Sequence, residues 1–130
     1  MKICFMLISK KDKKTPLISC IKDENEKYFL PTFDFTENDY PDLFSFTRNK
    51  FKEITKLNAI DLNGVGWVYL HMCGSLVKDN ELHIVYGCII PETFGLKNNE
   101  WISIIDILEK NLIEEQYLKQ LVYCFNAISR

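Results

Sequence analysis

The chain opens on an almost unbroken apolar run, Ile3 to Ser9, the pattern of a strand buried on both faces. A charged turn, Lys10 to Lys14, separates it from a second strand over Pro16 to Ile21. A polar loop, Lys22 to Lys27, leads to the short strand Tyr28-Phe29-Leu30, which Pro31 interrupts. Thr36 to Asp39 is a polar loop holding candidate helix caps, with Pro41 where a first helical turn accepts proline. A helix is predicted to run to about Leu57, with Leu43, Phe44, Phe51, Ile54 and Leu57 on its apolar face. Asn58 and Asn63-Gly64 end it.

Val65 to Gly74 and Glu81 to Ile90 are rich in β-branched and aromatic residues and predict an antiparallel pair, with Lys78-Asp79-Asn80 as the turn. Pro91 to Asn99 reads as a loop, Glu100 to Ser103 as a short strand and Ile104 to Glu109 as a short helix. Ile113 to Ile128 predicts a last amphipathic helix with Leu118, Leu121, Val122 and Phe125 on one face. No repeat or low-complexity linker divides the chain, so the expectation is one domain over residues 1–130, a mixed sheet covered by helices.

Composition narrows the function classes. The chain has 130 residues, the size of one domain. Its 47% apolar content supplies a core, and a net charge of −2 gives no field that would draw it to double-stranded DNA or acidic membranes. Lys10, Lys11, Lys13 and Lys14 read as a solvated turn. Cys4, Cys20, Cys73, Cys88 and Cys124 are odd in number and lack C-x-x-C spacing, which predicts buried thiols in a reducing, cytoplasmic compartment. His71 and His83 lie in strand-like segments with no cysteine at metal-ligand spacing and read as ordinary strand side chains. The apolar start is too short for a signal peptide core, and no apolar run reaches the length of a membrane span. None of the five glycines has phosphate-loop or dinucleotide spacing, and Ser45, Ser75 and Ser103 lack a nucleophile elbow.

Three segments resemble the Nudix hydrolases. Tyr28-Phe29-Leu30-Pro31 is similar to the strand end that precedes the family's paired glycines, and Asn49 to Leu57 falls where its helix motif R-E-U-x-E-E-x-G-U should be, U being apolar. Phe51 and Leu57 match the apolar positions, and Glu100 to Leu108 resembles the family's late tryptophan strand and short helix. The resemblance implies an α/β (α+β) fold, a Nudix-like α/β/α sandwich with a mixed sheet. It also locates the departures. Thr32 and Phe33 replace the paired glycines, Asn49 the arginine, Lys50 the first glutamate, Ile54 one of the adjacent glutamates and Lys56 the late glycine. Pro31 to Leu57 is about two residues longer than the family spacing, so Glu37 and Asp39 both remain open as the loop carboxylate.

Magnesium takes about six oxygens in near-octahedral geometry. One certain carboxylate, Glu53, with Glu37 or Asp39 as residual candidates, does not assemble such a cage. The resemblance therefore implies a catalytically impaired module that binds a nucleotide, a nucleotide derivative, RNA or a protein partner without a cofactor. Lys50 is the candidate phosphate contact, and Phe33, Phe35 and Tyr40 are candidate stacking residues. Two alternatives stand beside it. One is a divergent magnesium-dependent hydrolase of nucleoside diphosphate derivatives using Glu53 with Glu37 or Asp39. The other is an interaction protein whose pocket Phe33, Phe35 and Ile54 close.

Overall fold

A computed structural model describes residues 1–10, 16–35, 42–55, 58–59, 67–68, 70–90 and 99–128. Strand β1 (Lys2–Ser9) is the axis of the sheet, and Ile3 to Ser9 are all buried. It runs parallel to β8 (Glu81–Ile90) along its whole length, from Lys2 beside His83 to Ser9 beside Ile90. Its other edge is shared. The end of β1 pairs antiparallel with β2 (Leu17–Lys22), and its start pairs antiparallel with β4 (Thr32–Asp34). β3 (Tyr28–Phe29) pairs with β2, so the chain crosses from β2 to β1 at Leu30-Pro31. Pro31 ends the strand as its missing N–H requires. Its carbonyl accepts a hydrogen bond from the Phe5 amide at 2.9 Å, and pairing resumes as β4, a strand the sequence had not indicated.

β7 (His71–Lys78) pairs antiparallel with β8 through Asp79 and Asn80, both at positive φ, the two-residue turn that suits strand twist. The expected pair is thus present, but β7 extends to Lys78. The segment expected over Val65 to Gly74 is divided between β6 (Trp67–Val68) and β7, with a bulge between Met72 and Gly74. β6 pairs with β5 (Asn58–Ala59) apart from the main sheet. β9 (Asn99–Ser103) pairs with β2, and α2 (Ile104–Lys110) and α3 (Glu115–Ile128) follow, close to their predicted spans.

Alternation along β1 splits the core into two layers. Ile3, Phe5 and Leu7 pack with Ile84, Tyr86 and Cys88 against α1 (Leu43–Thr55). Cys4, Met6 and Ile8 pack with Val85 against Ile104 and Ile107 of α2 and Tyr117, Leu121 and Cys124 of α3. The result is the expected α/β/α sandwich. All five cysteines are buried free thiols. Among the described residues no helix is long and apolar enough to cross a membrane.

The helical phases differ from expectation. On α1 the buried residues are Phe46, Thr47, Phe51 and Thr55, whereas Phe44 is exposed and Ile54 half-buried against the same core. Thr47 and Thr55 tolerate burial because their hydroxyls bond the carbonyls of Leu43 and Phe51, each at 2.8 Å. Asp42 caps the helix start, its carboxylate accepting from the Ser45 amide at 2.7 Å, and the cap candidates Thr36 to Asp39 lie outside the described residues. On α3 the inner face is Tyr117, Leu121 and Cys124, flanked by Leu118 and Phe125, and Val122 is exposed. Leu57 and Pro41 lie outside the described residues.

Candidate functional site

Helix α1 brings four of the candidate residues into one cluster. Lys50 Nζ lies 3.2 Å from a Glu53 carboxylate oxygen, one turn away. The same ammonium sits over the Phe33 ring at 5.6 Å and the Phe46 ring at 5.9 Å. Phe33 meets Phe5 edge-on at 6.0 Å, and Phe35 meets Phe46 edge-on at 5.1 Å, so both aromatic rings are seated on the core of the α1 layer. Glu37, Asp39 and Tyr40 lie outside the described residues. α1 carries a single carboxylate, Glu53, and Ile54 packs against the core. Among the described residues no three His, Cys, Asp or Glu side chains converge on a metal position, and Glu53 is the one candidate carboxylate they include.

A cavity of about 380 Å³ opens on the other face of the sheet, within the range of small-molecule pockets. None of Lys50, Glu53, Phe33 or Phe35 lines it. Its floor is the start of β1 and β8, with Lys2, Glu81 and His83. One wall is β3 and the crossing to β4, with Tyr28, Leu30 and Thr32; the other is the hairpin end and the start of α3, with Lys78, Ile113, Glu114 and Tyr117. Lys78 clasps Glu114 at 2.5 Å and so ties the hairpin to the α2–α3 connection. Lys2 is held by Asp34 at 3.2 Å and Glu81 at 3.9 Å. Tyr28 donates its hydroxyl to Glu100 at 3.2 Å, and Lys22 lies over its ring at 5.7 Å.

At the back of the cavity His83 Nδ1 and the Tyr117 hydroxyl are 2.6 Å apart. Burial lowers the imidazole's proton affinity, with Glu81 opposing and Lys78 and Lys2 adding to the effect, and burial raises the phenol's. Behind Tyr117, the Cys4 thiol reaches both Tyr117 and Thr32, and burial pushes it up to about 12. His83 lies in β8 as a strand side chain, as expected, and its partner Tyr117 carries no sequence signal of its own. The available signal was the alternation of His83 with Ile84 and its phase match with Val85, which puts a polar ring on an inward face.

No family model and no curated protein matches the sequence. Solved structures do match in fold. The Nudix domain of Shewanella oneidensis NrtR complexed with ADP ribose superposes with a TM-score of 0.65 at 13% identity, covering 93% of this chain and 84% of that one. The Ap4A hydrolase of Caenorhabditis elegans gives 0.63 at 12% identity, covering 97% and 95%. The C-terminal domain of mouse MUTYH, in complex with human PCNA, gives 0.63 at 9% identity, covering 97% and 86%. The superpositions take in nearly the whole chain, and the chain has a Nudix-like fold.

Proposed function

We propose that this chain is a Nudix-fold binding module that takes a nucleotide derivative into the cavity between the sheet and α3, without a metal ion. The observation that carries the reading is the cavity: a space of about 380 Å³ with an aromatic wall at Tyr28 and a buried polar pair, His83 and Tyr117, at its back. The Lys50–Glu53 pair supports metal independence, because an ammonium satisfies the one carboxylate that α1 offers. The neighbours' ligands, ADP ribose for one, supply the ligand class by analogy of fold.

Calorimetry with a panel of nucleoside diphosphate derivatives carrying the common bases, ADP ribose included, tests this. The expected result is saturable binding of at least one member, unchanged by EDTA, with no turnover in magnesium or manganese. Turnover that disappears in Glu53→Gln would establish the hydrolase alternative instead. Absence of binding across the panel would leave a protein partner, the class bound by the MUTYH domain, as the reading to pursue.

A further inference from the structure

We infer that the cavity selects a neutral planar ring presenting a carbonyl oxygen to His83, because the Tyr117 hydroxyl fixes His83 Nε2 as a hydrogen-bond donor. The inference rests on the proposed nucleotide site and specifies which bases it takes.

His83 is 5% exposed and lines the cavity, and its Nδ1 is committed to Tyr117. Its Nε2 has no hydrogen-bond partner among the described residues. On a buried ring that lines a cavity, a nitrogen with no such partner is a site for a ligand atom. Whether that nitrogen donates or accepts follows from counting protons. Thr32 spends its one hydroxyl proton on the Leu30 carbonyl at 2.9 Å, so toward Cys4 it can only accept. Cys4 keeps its own proton, as a buried thiol does, and lies within hydrogen-bonding reach of Thr32 and Tyr117. Tyr117 then has one proton and two places to put it, the imidazole nitrogen at 2.6 Å or the thiol sulfur. The sulfur is a weak acceptor and the imidazole nitrogen a strong one. The phenol therefore donates to Nδ1, and the neutral ring carries its proton on Nε2.

Charge decides which acceptor this N–H seeks. Asp79, Glu81 and Glu114 line the cavity against Lys2 and Lys78, and both ammonium groups are already paired. An anionic phosphate is not favoured there. Ile21, Leu30 and Ile113 make apolar walls around Tyr28, which suit a flat neutral ring. A ring that offers an amino group to Nε2–H leaves two donors face to face in a desolvated space, and a site built for a hydrogen bond rejects such a ligand.

The test compares pairs in which a keto group and its neighbouring ring N–H stand in place of an amino group and a bare ring nitrogen: inosine against adenosine monophosphate, and uridine against cytidine monophosphate. Calorimetry on the full chain is expected to show the keto member of each pair binding at least tenfold more tightly, about 1.4 kcal/mol. In Tyr117→Phe the imidazole is free to take either tautomer, and the preference is expected to fall below about threefold with the circular dichroism spectrum unchanged. Nitrogen chemical shifts of the His83 ring in the unliganded wild-type protein read the tautomer directly, whatever the variant does. A proton on Nδ1 overturns the inference. Binding of both members of each pair within twofold also overturns it and leaves the proposed function standing. Failure of these probes and of the diphosphate-derivative panel to bind overturns both.

Discussion

Gly87→Ala is expected to be among the most disruptive one-carbon changes in this protein. Gly87 lies on β8 in phase with His83 and Val85, facing α3. A methyl group built there overlaps the Cys124 sulfur and comes within 3.0 Å of the Cys73 sulfur and 3.6 Å of the Met6 carbonyl oxygen. Cys124 is fully buried and Cys73 nearly so, which leaves neither sulfur an open direction to move. Overpacking of this kind costs about 1–3 kcal/mol. Replacing a strand glycine by alanine returns about 0.5–1 kcal/mol of backbone entropy, so the net loss should be roughly 1–2 kcal/mol. Cys124→Ala removes the colliding sulfur. In the double variant the methyl group added at position 87 occupies part of the space that sulfur vacates, and the combined loss should fall short of the sum of the single losses by about 1 kcal/mol. Urea unfolding followed by far-ultraviolet circular dichroism measures all three variants. A single variant within about 0.5 kcal/mol of the parent, or strict additivity in the cycle, would refute the packing argument.

Two further outcomes follow from the same structure. Phe51→Ala, at a fully buried side chain between Phe5 and α1, should cost about 3–5 kcal/mol, and Ile54→Ala, half-buried beside it, roughly 1–2 kcal/mol; urea midpoints in the reverse order would mean that α1 is rotated from the described phase. His83 and His71 both have proton affinities lowered by burial, so the unfolded chain binds more protons and stability is fully present above the ordinary value of 6.5 and lost as pH falls below it; a thermal midpoint that rises on acidification over roughly pH 7 to 5 would contradict their burial as neutral rings.

The sequence shows elements whose pattern is local and hides those made by distant partners. β8 was legible to its ends because a run of mostly apolar, β-branched and aromatic residues lies between a turn and a proline. α2 and β9 were legible for similar reasons. β4 was not, because three residues after Pro31 become a strand only by pairing with β1. The inner face of α1 was obscured by Thr47 and Thr55, polar residues whose hydroxyls are satisfied within the helix and which therefore bury at little cost. On α3, Tyr117 and Cys124 belong to the core, and Val122, apolar by type, does not. The cluster of Lys50, Glu53, Phe33 and Phe35 was legible as a neighbourhood because one helix and the segment before it carry all four. The cavity was not, since Lys2, Thr32, His83 and Tyr117 come from four distant parts of the chain.

The parallel pairing of β1 with β8 has a kinetic consequence. Its two strands are about eighty positions apart in the chain, and β2, β3, β4 and α1 all lie between them. Closing a loop of that length costs conformational entropy before any of the strand's hydrogen bonds compensate for it. Until β8 arrives, a strand as apolar as Ile3 to Ile8 has one whole edge without a partner, the condition under which chains associate wrongly. Refolding should therefore be slow for a domain of this size and sensitive to protein concentration. Once closed, the amides of β1 and β8 should exchange with solvent only through global opening, making this pair the slowest-exchanging part of the molecule.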